Sequence, residues 1–296
     1  MSAAVQCLAG AAGDAGRLAA RLGLAVDLID VHRFPDGEIK VTVGPAADKV
    51  ILYMPLDRAN EKLIALLLAA EALRRGGARR LVLVAPYLCY MRQDTAFNAG
   101  EAISQKVIGP LIARTVDRVV TVDAHLHRTH DISAVFPGIA AEDLSAMPAI
   151  ADALRGTLGA NTVVVGPDEE SAQWVGELAR RLGLDHVVGT KTRAGDRSVS
   201  IRFDNADRLK GRPALLVDDI VSSGGTLVTC ANALTAAGVT SIDCVVTHAL
   251  FTPGMLDDFK RAGIRSLRST TSVPHPTNAI ALDHLLADAL RDEVTP

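Results

Sequence analysis

The stretch ALLVDDIVSSGGT, residues 214–226, joins a buried-strand pattern, two adjacent carboxylates, a small-residue turn and a helix start. Residues 213–217 form a short apolar run typical of a buried parallel strand, and LVTCANALTAA at 227–237 has helical composition ended by Gly238. The turn between them predicts an anion site, because glycines allow close backbone approach and the start of a helix favours negative charge. Its residues are Ser222, Ser223, Gly224, Gly225 and Thr226.

Asp218 and Asp219 precede this turn and would repel a bound phosphate unless they face another group. Sugar hydroxyls and Mg²⁺ are both suitable partners for carboxylates. The pattern therefore predicts a ligand with hydroxyls beside a phosphate. A Walker A loop does not fit, since no Gly-Lys-Ser/Thr ending is present, and no G-x-G-x-x-G follows a strand directly. The structural alternative is an ordinary turn in which Asp and Ser cap the helix.

Composition limits the classes of protein that the chain can represent. Its 296 residues are 49% hydrophobic but only 3% aromatic, which favours cores of aliphatic side chains between helices and parallel sheets. The net charge of −3 gives no support for binding to nucleic acid or a membrane. We see no signal peptide and no transmembrane helix. Cys7, Cys89, Cys230 and Cys244 are widely spaced in apolar segments, so we expect buried free thiols and a cytoplasmic location.

Strand-like and helical runs alternate along the chain, which favours parallel sheets covered by helices. The order strand, helix, strand, helix, strand is predicted from residue 50 to 125, and a similar order recurs from 161 to 250. We predict two tandem doubly wound α/β domains, residues 1–146 and 147–296, with a final amphipathic helix that can pack back on the first domain. DRVVTVDAHL at 117–126 faintly resembles IDCVVTHAL at 242–250, through duplication or shared strand composition.

The run VDDIVSSGGTL at 217–227 closely resembles the phosphoribosyl-diphosphate (PRPP) motif of type I phosphoribosyltransferases and ribose-phosphate diphosphokinases. The resemblance implies a type I phosphoribosyltransferase-like fold for both domains. It also implies that seven residues bind ribose 5-phosphate: Asp218, Asp219, Ser222, Ser223, Gly224, Gly225 and Thr226.

Two motifs in the first domain resemble ATP-binding segments of the diphosphokinases. RFPDGEIKVTV at 33–43 is similar to the family's F-x-D-G-E hairpin, and PYLCYMRQD at 86–94 is similar to Y-x-x-Y-x-R-Q-D. Aromatic faces stack on adenine, carboxylates accept from its amino group or the ribose, and a guanidinium can clamp a triphosphate. The hairpin alone would equally be a structural D-G turn. The ATP-binding residues implied are Phe34, Asp36, Glu38, Arg92 and Gln93.

Two further motifs carry the residues that the resemblance places at the reacting phosphates. TVDAH at 121–125 is similar to V-D-L-H, which makes His125 a ligand or stabiliser of the Mg-ATP phosphates, although the nearby His127 and His130 leave a metal cluster as an alternative. KTRAGDRS at 191–198 resembles the family's mobile Lys-x-Arg loop, which gives catalytic roles to Lys191 and Arg193, whereas a solvated loop is the structural alternative.

The chain departs from the family pattern at the pyrophosphate loop, where GPDEES at 166–171 replaces S-P-D-A-G-G. Asp168 matches and is expected to hold metal together with His125, but Glu169 and Glu170 replace small residues. Ser222 stands where an acid is usual, and apolar residues around Phe97 replace an acid that often follows R-Q-D. These changes suggest altered metal use or regulation.

The resemblance implies ribose-phosphate diphosphokinase activity, in which MgATP and ribose 5-phosphate give AMP and PRPP. A phosphoribosyltransferase is the enzymatic rival, but it would not be expected to carry the first-domain motifs. A catalytically silent regulatory homologue is the rival from another class. The resemblance also implies a homo-oligomer, at least a dimer, in which the hairpin reaches the ATP site of an adjacent chain.

Overall fold

A computed structural model of the chain describes residues 2–126, 128–129, 131–194 and 198–294, without the side chains at 193–194 and 198–199. Strands and helices alternate along much of the chain. The strands are β1 (Ala3–Leu8), β2 (Val26–Arg33), β3 (Ile39–Thr42), β4 (Lys49–Tyr53), β5 (Arg80–Ala85), β6 (Arg118–Val122), β7 (Ala140–Leu144), β8 (Val163–Gly166), β9 (Asp185–Val188), β10 (Thr190–Ala194), β11 (Ser198–Arg202), β12 (Pro213–Val221), β13 (Ser241–Ala249), β14 (Ile264–Thr270) and β15 (Asn278–Ile280). The helices are α1 (Ala12–Leu22), α2 (Ala59–Arg75), α3 (Ser104–Ala113), α4 (Met147–Leu154), α5 (Ala172–Leu182), α6 (Gly225–Ala236), α7 (Leu256–Arg261), α8 (Asp283–Ala289) and α9 (Arg291–Val294). Within the described residues every helix is too short or too polar to span a bilayer.

The chain divides into two compact units. Unit 1 comprises Met1–Leu144, Ser272–Pro274 and Leu282–Pro296, so the C-terminal helices α8 and α9 belong with the N-terminal sheet. Its strand order is β3-β2-β1-β4-β5-β6-β7, parallel except for the β2–β3 hairpin. The central strands are buried on both faces, as their near-continuous Val and Leu content predicts.

Unit 2 comprises Ser145–Thr271 and His275–Ala281. Its parallel sheet has the order β15-β14-β13-β12-β8-β9, and β10 and β11 form a separate antiparallel ribbon. The sheet order reverses between β8 and β12, because β9 continues on one side and β13 on the other. In open α/β sheets, ligands bind outside the carboxyl ends of the strands at such a switch point.

The two units share one topology. Read from the opposite edge, unit 2 runs β9-β8-β12-β13-β14-β15, which matches β2-β1-β4-β5-β6-β7 strand for strand. The helices after the first strand of each unit also match in sequence, since residues 16–24 and 176–184 both read G-x-L-A-x-R-L-G-L. Both helices end at a left-handed glycine, Gly23 or Gly183. This repeated nonapeptide supports duplication more directly than the faint match between residues 117–126 and 242–250.

Two expectations need correction. The faint match of residues 117–126 with 242–250 pairs β6 with β13, whereas the topology makes β6 the counterpart of β14. The segment expected to be a loop at 191–198 lies largely in the β10–β11 ribbon, although 195–197 are outside the described residues. The strand β1 and helix α1 were not predicted, although the buried residues of α1, Ala15, Leu18 and Ala19, have helical spacing. The four cysteines are free and buried, as predicted.

Candidate functional site

The 222–226 turn connects β12 to α6 and combines two different glycines. Gly224 has φ +69°, and a Cβ there would lie 2.6 Å from both Met255 Cε and Phe259 Cε1, so backbone conformation and packing both require glycine. At Gly225 an added Cβ would meet no described atom within 4 Å. No described side chain caps the N–H groups at the start of α6. These donors therefore face a sterically open approach, which suits an anion.

Asp218 and Asp219 lie within β12, which extends four residues beyond the predicted strand end. Asp219 is buried, and its N–H donates to Asp218 Oδ1 at 3.1 Å. Burial and the neighbouring carboxylates of Asp219 and Asp168 raise the pKa of Asp218 well above its usual range. Three carboxylates are thus crowded at one end of the sheet, an arrangement that a cation would stabilise.

Lys191 on β10 joins the two loops at the switch point. Its Nζ lies 3.5 Å from Asp168 Oδ2, after β8, and 3.3 Å from Thr226 Oγ1, in the first turn of α6. The Lys191 and Asp168 side chains are both mostly buried. The structure therefore brings together Asp168, Lys191 and Thr226. The backbone of Arg193 pairs with Val199, while its side chain is outside the described part of the chain.

The loop at 166–171 is closely packed. A Cβ on Gly166 would lie 2.0 Å from Ser171 Oγ, and the Ser171 N–H donates to the Asp168 carbonyl at 3.1 Å. Glu169 and Glu170 begin a short 3-10 helix and are exposed. The added acids therefore occupy the surface of the loop.

In unit 1, Arg92 and Gln93 follow β5, and His125 follows β6. Arg92 is exposed, while Gln93 Oε1 accepts a hydrogen bond from Ser104 Oγ at 3.0 Å, which ties it to the start of α3. His125 is half-buried after Asp123, whose φ is +41°. The carboxyl ends of neighbouring parallel strands thus carry these side chains. His127 and His130 lie outside the described residues.

The turn before His125 is held by β7. The Asp123 N–H donates to the Leu144 carbonyl and the Ala124 N–H donates to Asp143 Oδ1, both at 2.9 Å. Asp143 was not identified from the sequence, since no motif includes it. Its position near the end of β7, the strand that pairs with β6, would have indicated it only once the strand order was known.

Phe34, Asp36 and Glu38 lie in the exposed turn of the β2–β3 hairpin. Phe34 N donates to the Glu38 carbonyl at 2.8 Å, and Asp36 Oδ1 accepts from Glu38 N at 3.1 Å. In unit 1, four strand spacings of about 4.8 Å, roughly 19 Å, separate β3 from β5. The strand order thus does not bring the hairpin residues together with Arg92 and Gln93.

Comparisons with known proteins agree with this architecture. Residues 11–115 match the N-terminal domain of ribose phosphate pyrophosphokinase, and residues 144–277 match the phosphoribosyl transferase domain. The ribose-phosphate pyrophosphokinase of Methanopyrus kandleri is 30% identical over 279 residues, covering 93% of this chain and 94% of the relative. That of Pyrococcus furiosus is 31% identical over 258 residues, covering 86% and 89%.

A solved structure extends the likeness to the whole chain. Phosphoribosylpyrophosphate synthetase from Mycobacterium smegmatis superposes with a TM-score of 0.84 at 25% identity, covering 99% of each chain. The predicted fold, two tandem doubly wound domains of phosphoribosyltransferase type, is confirmed. The family resemblance inferred from the motifs is confirmed as well, and the chain belongs to the ribose-phosphate pyrophosphokinase family.

Proposed function

We propose that the chain is a ribose-phosphate diphosphokinase, which transfers the β,γ-diphosphoryl group of MgATP to the C1 hydroxyl of ribose 5-phosphate. The products are PRPP and AMP. The observation that carries the proposal is the position of Lys191, whose ammonium group contacts both Asp168 and Thr226 at the switch point of unit 2. A cation placed between a carboxylate and an anion-binding turn is well suited to a transferring phosphoryl group.

We assign ribose 5-phosphate to the end of β12 and the start of α6. The 5-phosphate accepts from the N–H groups of the 222–226 turn, where Gly225 leaves space, and from the hydroxyls of Ser222, Ser223 and Thr226. Asp218 and Asp219 accept hydrogen bonds from the ribose hydroxyls. Neutral hydroxyl partners suit Asp218, because burial and the neighbouring carboxylates raise the pKa of its carboxyl group.

We assign the nucleotide to the residues of unit 1. Arg92 and the amide of Gln93 contact the triphosphate, with His125 as a further donor. Phe34, Asp36 and Glu38, on the exposed hairpin, are assigned to adenine and its ribose. The hairpin and the triphosphate-binding residues at one nucleotide site come from two neighbouring chains, since the strand order keeps β3 away from β5 within one unit.

Magnesium fits some of these residues better than others. Hard divalent cations prefer oxygen ligands, so the Asp168 carboxylate suits Mg²⁺ and the His125 imidazole suits a phosphate oxygen better. In the described residues no group of three or more His, Cys, Asp or Glu is arranged to hold a metal ion, which is consistent with phosphate oxygens completing the coordination. Bound Mg²⁺ would neutralise triphosphate charge.

The protein has little covalent work to do in this reaction. The C1 oxygen attacks the β-phosphorus in line, the bond from that phosphorus to the α-phosphate oxygen breaks, and AMP leaves with that oxygen. Lys191 and Arg193 stabilise the charge that develops on the transferring group. Lys191 exchanges its contact with Asp168 for phosphate oxygens as the substrates bind.

The test is to incubate purified protein with Mg²⁺, ATP and ribose 5-phosphate and to quantify AMP and PRPP. Lys191→Ala should lower kcat by on the order of a hundredfold with a modest change in KM, because the cation acts mainly in the transition state. Lys260→Ala, which alters an exposed lysine of α7, is the matched control and should leave kcat unchanged.

Two results would contradict the proposal. Consumption of PRPP and a nucleobase to give a nucleotide and diphosphate, without AMP formation from ATP and ribose 5-phosphate, would indicate a phosphoribosyltransferase. Retained binding of both substrates without AMP would indicate a regulatory homologue, which the exposed Glu169 and Glu170 and the replacement at Ser222 favour.

A further inference from the structure

The segment after Arg92 and Gln93 contains a cluster that the proposed mechanism does not use. The Asp94 side chain is only 2% exposed and accepts two hydrogen bonds from Arg128, at 2.8 Å from Nη1 and 3.1 Å from the backbone N–H. A buried carboxylate that holds both the guanidinium and the main chain fixes the orientation of Arg128. The guanidinium in turn lies over the ring of Phe97, 5.8 Å from its centroid.

Phe97 is presented to solvent from a fixed backbone. Its side chain is 66% exposed, the highest value among the large apolar residues described. Glu101 accepts from the N–H groups of Phe97 at 2.8 Å and Asn98 at 3.1 Å, and from Asn98 Nδ2 at 2.6 Å. Three hydrogen bonds accepted by Glu101 therefore hold the chain at residues 97 and 98, and two accepted by Asp94 hold Arg128.

Gln105 contacts the residues that adjoin Asp94 and Arg128 in the sequence, Gln93 and Thr129. Gln105 is 5% exposed, its Oε1 accepts from Thr129 Oγ1 at 3.0 Å, and its backbone N–H donates to the Gln93 carbonyl at 3.2 Å. Its Nε2 has no hydrogen-bond partner among the described residues. A buried amide donor without a partner costs free energy unless a ligand accepts from it.

An exposed aromatic ring backed by a guanidinium is suited to stacking on a nucleobase. Bases stack on Phe and on Arg planes, and their ring nitrogens accept hydrogen bonds. We propose that Phe97, backed by Arg128, stacks on one face of the base of the nucleotide donor. This inference rests on the proposed function, because it places the base in the segment that begins at Arg92 and Gln93.

In this assignment, the chain whose Arg92 and Gln93 contact the triphosphate also contacts the base, through Phe97. A base has two faces, so stacking on Phe97 is compatible with Phe34 of a neighbouring chain on the other face. It also gives a role to the apolar residue that stands where the family often has an acid. A carboxylate in place of Phe97 would offer the base no stacking surface.

The experiment measures binding by calorimetry with two probes, a non-hydrolysable ATP analogue and inorganic tripolyphosphate, which has no base. Phe97→Ala should weaken binding of the analogue by on the order of tenfold and leave tripolyphosphate affinity unchanged. Phe97→Tyr keeps the ring and should bind both probes like wild type. Val107→Ala, at another exposed apolar residue, on α3, is the matched control and should change neither affinity.

Equal weakening of both probes would overturn the inference, because it would show that Phe97 supports the loop and not the base. Unchanged affinity for the analogue would overturn it as well. Dissociation of an oligomer without a base-dependent loss would assign Phe97 to a contact between copies. These readouts need no turnover, so a failure of the proposed function, seen as absent AMP, is distinguishable from a failure of the stacking assignment.

Discussion

At the scale of single residues, the adjacent glycines of the 222–226 turn, Gly224 and Gly225, are under different physical requirements: packing and backbone conformation require the first, and neither requires the second. Gly224 is needed by the protein itself, since any Cβ there would clash with Met255 and Phe259 and would require a left-handed backbone. Gly225 has neither constraint, because its φ is not in the left-handed region and the space around it is open. Substitution of Gly224 would therefore disturb packing, whereas substitution of Gly225 tests access for the ligand.

We predict that Gly225→Val weakens ribose 5-phosphate binding at least tenfold, because a side chain would fill the approach to the first N–H groups of α6. Binding of the ATP analogue and the thermal midpoint should stay close to wild type. Gly254→Ala is the matched control, since it also adds a Cβ where no described atom lies within 4 Å. Unchanged ribose 5-phosphate affinity in calorimetry would exclude this turn as the phosphate site.

The residues that sequence reasoning found are those carried by contiguous motifs. Asp168, Lys191 and Thr226 each belong to such a motif, but their contact depends on the return of β10 across the switch point. The pairing of Phe97 with Arg128 could not be found, because it joins residues from different loops and needs the buried Asp94 to orient the guanidinium. Sequence motifs therefore identify candidate site residues, but only the tertiary structure shows which of these residues are in contact.

At the scale of elements, strands with continuous aliphatic runs were predictable and polar ones were not. The runs at β4, β5 and β8 bury both faces and leave little choice of structure. The β10–β11 ribbon is rich in charged and hydroxyl side chains, so its sequence looks like a solvated loop although its backbone is paired. Its antiparallel pairing gives Lys191 a defined position that a disordered loop would lack.

The C-terminal helix α9 is attached to unit 1 by an ion cluster at the amino ends of three strands. Arg80 donates to both Glu293 carboxylate oxygens at 2.7 Å, and Arg118 Nη1 donates to Oε1 at 2.9 Å. Lys49 donates to the Glu293 carbonyl at 2.9 Å. Arg80, Arg118 and Lys49 are the first residues of β5, β6 and β4, respectively. The side chain and the backbone carbonyl of Glu293 therefore connect α9 to three strands.

This cluster predicts an acid-dependent loss of stability. Burial alone would raise the pKa of Glu293, but the hydrogen bonds from Arg80 and Arg118 outweigh it and lower the pKa from 4.5 to about 2. A carboxylate with a lowered pKa in the folded state stabilises the fold above its unfolded pKa, and this contribution disappears as the pH falls from about 4.5 toward 2. The shift corresponds to about 3 kcal/mol.

The measurement is the free energy of unfolding of wild type and Glu293→Gln in urea at several pH values. The difference should be about 3 kcal/mol near pH 6 and should shrink steadily below pH 4.5. Glu71→Gln is the control, because Glu71 pairs with Arg75 on an exposed helix surface and should contribute little at any pH. A difference between wild type and Glu293→Gln that does not depend on pH would show that the glutamate acts through packing alone.

At the scale of the whole molecule, the two units share one strand order but differ in the position of an added antiparallel element. Each unit has the same sheet order and an antiparallel addition after its second strand, β3 in unit 1 and the β10–β11 ribbon in unit 2. In unit 2 the addition brings Lys191 to the switch point of its own sheet. In unit 1 it lies at the sheet edge with its turn residues exposed, so the turn is accessible to another chain.

We therefore predict that the hairpin completes the ATP site of a neighbouring chain in a homo-oligomer. The test combines Glu38→Ala, which damages the hairpin, with Lys191→Ala, which damages the site that receives a hairpin. Each variant alone should have very little activity. Random re-association of equal amounts should restore about a quarter of wild-type activity, since about half of the dimers are mixed and half of their sites have both parts intact.

A mixture of Asp168→Ala with Lys191→Ala is the control, because Asp168 and Lys191 contact each other within one chain and no mixed dimer can regain both. If the first mixture stays as inactive as the control although mixed oligomers are shown to form by differential tagging, the ATP site is built within a single chain and the hairpin has another role.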